Sequence, residues 1–197
     1  MVQGKYITLR MAKAEEQELI YKMGLSTDYM RECFTEDCPK GLDSFIEDYG
    51  ERYFDYQQPE KGGGMLIYRN EQPVGIIFYD AFSYDDDYVK SGCFEVDIWM
   101  YGEANCGKGF GVDAIVTITD YLYKQYNTHT FFMYPDKINL RAIRAYEKAG
   151  FIEVADDNKQ NKMTKIFTQK YFDNSKPDDL YMSDKSVLMV KEYNTTV

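Results

Sequence analysis

Apolar and polar positions along the chain change period several times, and each change marks an element. Lys5–Arg10 alternates, with Tyr6 and Thr8 set against Ile7 and Leu9, and predicts a short strand. Ala14–Met23 is rich in helix formers and predicts a helix. In Leu42–Phe54 the apolar positions Leu42, Phe45, Ile46, Tyr49 and Tyr53 follow helical spacing. Gly62-Gly63-Gly64 reads as a chain break ahead of a strand at Met65–Tyr68. Asn70-Glu71-Gln72-Pro73 reads as a turn, and Val74–Tyr79 as the returning strand of a hairpin. Phe82–Gly92, centred on Asp85-Asp86-Asp87, reads as an acidic loop. Cys93–Met100 alternates again, with Phe94, Val96 and Ile98 on one face and Glu95, Asp97 and Trp99 on the other. After a glycine-rich segment, a helical pattern runs to about Lys124. A strand is expected at His129–Tyr134, a helix at Asn139–Ala149 closed by Gly150, and strands at Phe151–Val154 and Ser186–Tyr193. Lys159–Asp179 has no clear period. The order predicts an α/β (α+β) fold, a mixed sheet with helices on its faces.

Composition narrows the functional classes. The 197 residues suit one domain, expected to span 1–197. A formal net charge of -10 opposes binding to nucleic acid, which needs Lys and Arg to displace phosphate counterions, and opposes an anionic membrane surface. It fits a small cationic partner, although acidity can also serve solubility alone. Aromatics are plentiful at 16%, mostly Tyr and Phe, and their plain reading is that they fill the core, with some Tyr hydroxyls at the surface. No apolar run approaches bilayer length and the N-terminus lacks a signal-peptide stretch, so a cytoplasmic protein is expected. The four cysteines are Cys33, Cys38, Cys93 and Cys106; Cys33 and Cys38 could suggest a metal pair, but a zinc site needs about four Cys/His ligands and His129 is the only histidine. No metal is expected, and the thiols are expected to be reduced.

Gly107-Lys108-Gly109-Phe110-Gly111 opens directly into a helix. Alternating glycines can turn several backbone N–H groups to one side, and a helix N-terminus attracts phosphate. A pyrophosphate is the natural ligand, with Lys108 adding charge. The segment is not a Walker motif, since no Lys-Ser or Lys-Thr follows the last glycine, and its glycine spacing is wrong for a dinucleotide fingerprint. A glycine-rich turn before a helix is also often only a turn.

The second element, NLRAIRAYEKAGF at Asn139–Phe151, decides between those readings. With it, the sequence resembles the GNAT acyltransferase superfamily, best matching the aminoglycoside 6'-N-acetyltransferase branch. Clear resemblance covers roughly residues 93–154. It implies a GNAT-type, mostly antiparallel central sheet with helices on both faces and a splayed strand pair at the acetyl-coenzyme A site. It implies coenzyme contacts from Trp99 and Met100, from Gly107, Lys108, Gly109, Phe110 and Gly111, and from Asn139, Ala142 and Tyr146. One departure stands out: where the family loop usually carries Gln or Arg, this chain has Cys106, beside Asn105.

Acetyl transfer from a thioester to an amine needs a neutral amine, a stabilised oxyanion and a protonated or solvated leaving thiolate. Asp97 and Glu95 share one strand face as candidate bases, with the ordinary solvated strand residue as the competing reading. The resemblance places the family carboxylate at Asp97 and a general acid at Tyr146, whose phenol is suited to protonate a thiolate. Asn139 could cap its helix, contact the coenzyme, or do both. Backbone N–H groups near Trp99 and Met100 are the candidate carbonyl donors.

For the acceptor, the resemblance points to Asp80, Tyr84 and Asp86, flanked by Asp85, Asp87 and Tyr88, together with Glu95, Asp97 and Trp99. Carboxylates pair with ammonium groups and rings cover sugar faces, while a solvated loop is the competing reading. Tyr49 and Tyr53 are further candidate walls. Three functions follow: an aminoglycoside 6'-N-acetyltransferase, a GNAT enzyme for another amine (polyamine, amino acid or protein N-terminus), and a non-catalytic coenzyme-binding domain. The aromatic pair Tyr171-Phe172 admits a homodimer.

Overall fold

The computed structural model describes residues 1–28, 31, 41–54, 57–82, 93–154 and 186–193. Its elements, in chain order, are β1 (Val2–Gln3), β2 (Thr8–Met11), a 3-10 turn (Ala14–Glu16), α1 (Gln17–Gly24), α2 (Leu42–Phe54), β3 (Gly62–Arg69), β4 (Gln72–Phe82), β5 (Cys93–Met100), a second 3-10 turn (Glu103–Asn105), α3 (Phe110–Tyr126), β6 (Thr130–Met133), α4 (Leu140–Lys148), β7 (Ile152–Glu153) and β8 (Met189–Glu192). The eight strands form one sheet in the order β1-β2-β3-β4-β5-β6-β8-β7. All pairs are antiparallel except β5 with β6.

The period-two alternation of the strands sorts side chains into two cores. On one face, Ile7, Leu9, Ile67, Ile77, Phe94 and Val96 pack beneath α3 and α4. Buried Ala114, Ile115, Ile118 and Leu122 recur on one side of α3, the stripe an amphipathic helix needs. On the other face, Leu66, Ile76, Phe78 and Trp99 meet Ile20 and Met23 of α1 and Phe45 of α2. The expected division of Cys93–Met100 is therefore the one the fold uses, with Phe94 and Val96 facing α3 and Trp99 facing α1 and α2.

Three local expectations are corrected by tertiary contacts. Residues 5–7 do not start a strand, because the N–H groups of Lys5, Tyr6 and Ile7 donate to the Asp113 carboxylate at 3.0, 2.6 and 3.1 Å instead of joining a ladder. The strand begins at Thr8. Gly62-Gly63-Gly64 does not break the chain but forms the start of β3. A Cβ on Gly63 would sit 2.9 Å from the Tyr79 hydroxyl, and one on Gly64 would sit 3.2 Å from the Phe78 ring, so the glycines make room for aromatic rings of β4. The hairpin turn is Asn70-Glu71 alone, both at positive φ, and Gln72 and Pro73 already belong to β4. Asp80, expected between the hairpin and the next strand, consequently lies inside β4.

The lone histidine is structural. His129 Nδ1 donates to the Tyr193 carbonyl at 3.1 Å, and Tyr123 stacks on the Tyr193 ring at 4.6 Å, which ties β8 to the end of α3. No helix among the described residues is long and apolar enough to cross a membrane.

Candidate active site

The site begins where two neighbouring strands part. β5 pairs with β6 only from Cys93 to Glu95, whereas β5 runs on to Met100 and keeps its partner β4 throughout. From Val96 onward one edge of β5 is open. Tyr101 N–H donates to Val74 O across β4, while Ile98 N–H turns the other way, to the Asp97 carboxylate at 2.8 Å. By the same alternation, Met100 N–H faces the gap and Trp99 N–H faces β4. Of the two expected donors, only Met100 is free to aim at a ligand in the cleft.

The gap widens into a cavity of about 750 Å³. Its walls bring together Trp99 and Met100 of β5, Gly107, Lys108, Gly109 and Gly111 of the loop, and Asn139, Ala142 and Tyr146 of the following helix. Gly107 and Gly109 take φ of +72° and +84°, and a Cβ built on either meets nothing within 4 Å. These glycines are demanded by backbone conformation, not by crowding. Gly109 is also the N-cap of α3 and offers no side chain to the first-turn N–H groups, which stay available to an anion. Asn139 does cap α4: its Oδ1 accepts from Ala142 N–H at 3.1 Å while the residue still lines the cavity. Tyr146 is 7% exposed and reaches the same space. Phe110 is not among the lining residues; the Arg69 guanidinium stands 6.0 Å from its ring centroid.

Several lining residues escaped the sequence reading. Arg141, Arg144 and Lys148 join Lys108 around the cavity and make it a cationic recess in an acidic chain. Their positions, three, four and seven apart on one helix, place them along one side, which was a readable signal. Arg141 also pairs with Glu103, holding the Glu103 carboxyl below its ordinary range and tying the second 3-10 turn to α4. Cys106 lines the cavity half-buried; desolvation pushes its thiol up, and nearby Arg141 opposes that shift. The thiol is therefore neutral near pH 7, and Arg141 places a guanidinium close to a loop position where a charged or amide side chain had been expected. Thr27 and Ser26, at the end of α1, complete this corner: Ser26 Oγ accepts from Gly102 N–H at 2.8 Å and donates to the Met23 carbonyl at 2.6 Å.

Asp97 is not among the cavity's lining residues, although its neighbours Ile98 and Trp99 are, and it shares a sheet face with Trp99. Its Oδ1 accepts from Ile98 N–H, and its Oδ2 from the Trp99 indole Nε1–H at 2.9 Å. The residue keeps contact with water, yet surrounding protein partly desolvates the carboxylate and raises its pKa, and the two hydrogen bonds oppose the rise. Glu95 and Asp80 lie opposite each other on β5 and β4, on the same face as Asp97, with Asp80 only 4% exposed. Beside them stands an aromatic wall: Phe78 lies 4.8 Å from Trp99, Tyr53 4.8 Å from Phe78, and Tyr49 5.7 Å from Trp99. Tyr84 and Asp86, with Asp85, Asp87 and Tyr88, lie outside the described residues, as do Cys33, Cys38 and 159–179 with its aromatic pair.

A sheet opened at the end of β5, a phosphate-suited loop before a helix, and a second helix lining the same cavity define a transferase of the acyl-coenzyme A class. The chain belongs to the GNAT acetyltransferases: the model described as "Acetyltransferase (GNAT) domain" matches residues 7–152. The co-substrate of that family is acetyl-coenzyme A. Solved structures with the same fold include the aminoglycoside acetyltransferase AAC(6')-Ib with paromomycin and acetyl-coenzyme A, at TM-score 0.65 and 19% identity over 95% of this chain and 94% of that one. An aminoglycoside N(6')-acetyltransferase from Legionella pneumophila gives 0.63 and 17% over 98% and 94%. Spermidine N-acetyltransferase from Vibrio cholerae, with CoA and spermine, gives 0.64 and 15% over 95% of each chain.

Proposed function

We propose that this protein transfers the acetyl group of acetyl-coenzyme A to a primary amine of a small cationic molecule, with the 6'-amine of an aminoglycoside as the favoured acceptor. The observation that carries the reading is the opening of β5: one short stretch, Asp97–Met100, offers a carboxylate toward one face and a backbone donor toward the coenzyme cavity. The cavity suits the co-substrate. Its glycines leave the loop backbone uncovered, the start of α3 is uncapped by any side chain, and Lys108, Arg141, Arg144 and Lys148 supply positive charge for phosphates. Acetyl-coenzyme A supplies the activated acyl group.

The residues then divide the remaining work. Asp97 draws the ammonium group in and, as a carboxylate with a raised pKa, accepts its proton directly or through water. Met100 N–H faces the gap, where it can donate to the thioester carbonyl as negative charge develops on oxygen. Tyr146, at the cavity wall, hands its phenolic proton to the departing sulfur. Asp80, Glu95 and Asp97 with the rings of Tyr49, Tyr53, Phe78 and Trp99 form an acceptor face of carboxylates and aromatics, the chemistry that holds polyamino ligands.

A second acceptor class, linear polyamines, is favoured by one observation: the spermidine acetyltransferase superimposes about as well as the aminoglycoside enzymes, 0.64 against 0.65. Acetyl transfer to aminoglycosides with a 6'-amine, to spermidine and to spermine, measured side by side, separates the two. Turnover of polyamines alone would replace the favoured acceptor. Coenzyme binding without turnover of any amine would leave only a coenzyme-binding domain.

A further inference from the structure

The geometry points to a second task for Trp99: we propose that its indole N–H clamps the Asp97 carboxylate in the orientation that receives the amine proton, which makes Trp99 a positioning residue. The proposal rests on the reading of Asp97 as the base. Asp97 and Trp99 are two apart on β5 and so share a face, and the Nε1–Oδ2 distance is 2.9 Å. With Ile98 N–H on Oδ1 at 2.8 Å, each carboxylate oxygen is held by one donor, and the plane of the group is fixed from two sides.

A clamp must itself be braced, and Trp99 is. It is 3% exposed, with Phe78 edge-on at 4.8 Å, Tyr49 at 5.7 Å and Phe45 at 6.4 Å. Phe78 lies directly across from Asp97 in the β4–β5 register, so the ring bracing the indole stands next to the carboxylate it serves. Among the described residues, the titratable groups facing this region are Glu95 and Asp80 from the sheet, Tyr49 and Tyr53 from α2 and, behind Phe45, Tyr21 from α1. None of these is a cation, so the charged form of Asp97 is stabilised here by hydrogen bonds rather than by ion pairing. A donor on the charged form lowers a carboxyl pKa, and the indole thereby opposes the upward pull of desolvation.

Trp99 is the single tryptophan of the chain, so the protein has one indole N–H signal in a nitrogen–proton NMR spectrum. In the wild-type protein that signal is expected to titrate with Asp97, and in Asp97→Asn to stay flat over the same pH range. In steady-state assays Trp99→Phe, which keeps an aromatic ring and removes the donor, is expected to lower kcat roughly tenfold, with a smaller change in KM for acetyl-coenzyme A. It is also expected to move the acidic limb of kcat/KM to higher pH. Asp97→Asn combined with Trp99→Phe is expected to be no slower than Asp97→Asn alone, since the clamp acts only through the carboxylate. An indole signal indifferent to Asp97→Asn, or a Trp99→Phe enzyme with unchanged kcat and acidic limb beside an inactive Asp97→Asn, overturns the clamp alone. Full turnover by Asp97→Asn overturns the base reading and the clamp with it.

Discussion

The coenzyme side and the proposed acceptor side of the sheet are built by different means. The coenzyme side uses backbone: two positive-φ glycines, an N-terminus of α3 without a side-chain cap, and an open strand edge at Met100, with a helix of cations alongside. The acceptor side uses side chains brought from β4, β5 and α2, and its walls are rings and carboxylates. Backbone recognition fixes a common co-substrate and leaves little room for variation. Side-chain recognition is where one member of a family can differ from another. The two sides meet in Asp97–Met100, a single strand end serving both.

If that division holds, the largest effect belongs to the junction. Asp97→Asn should lower kcat by about 10²- to 10⁴-fold, the usual worth of a general base, while coenzyme binding measured by calorimetry stays close to wild type. The same change should not destabilise the fold at neutral pH. The folded-state pKa of Asp97 is raised, so as pH climbs from the unfolded-state value the unfolded chain releases this proton first. Stability falls through that window and is lowest above the folded pKa. Removing the ionisation relieves that cost, and the melting temperature of Asp97→Asn relative to wild type should improve from acid to neutral pH. A variant that loses turnover and stability together would make Asp97 a structural residue.

Tyr146→Phe comes next. It keeps the ring that packs against Phe151 at 6.5 Å and removes only the proton donor, so kcat should fall by about 10²-fold with little change in coenzyme KM. A larger rise in KM than fall in kcat would move Tyr146 from chemistry to binding. Gly109→Ala tests the coenzyme side alone. Its φ of +84° should cost the alanine roughly 1–2 kcal/mol, read as a lower melting temperature. Coenzyme KM should rise with it, while the relative rates on different amines stay the same. A changed acceptor preference would show that the two sides are not separable. The smallest effect is expected from Glu103→Gln. The Glu103–Arg141 pair is about half exposed, and such pairs contribute roughly 0.2–1 kcal/mol. Coenzyme KM should shift only a few-fold.

The same contrast explains what the sequence disclosed. The coenzyme side was legible because its parts are local: Gly107–Gly111 and Asn139–Phe151 are each one contiguous run, and the Asn139 cap follows from the residue type and its place. Period alone found α2 with both ends in place and the two faces of β5. The misread segments were those decided by remote partners. Residues 5–7 leave the ladder because Asp113, more than 100 positions away, takes their N–H groups. The triple glycine is a strand because aromatic rings of β4 need the space. Of the aromatic wall, Tyr49, Tyr53 and Trp99 were expected and Phe78 was not, since its members meet through strand register and helix packing. The hydrogen bond from Trp99 to Asp97 was legible in principle, as two residues on one strand face, but nothing in the sequence gives the rotamers that join them.

The most direct test of the central claim is acetyl transfer from acetyl-coenzyme A to a matched pair of aminoglycosides, one with a 6'-amine and one with a 6'-hydroxyl, by wild-type protein and Asp97→Asn. The wild type is expected to turn over the amine and not the hydroxyl compound at that position, and the variant to lose the amine reaction. Equal turnover by the variant, or no transfer to any 6'-amine, would contradict the claim.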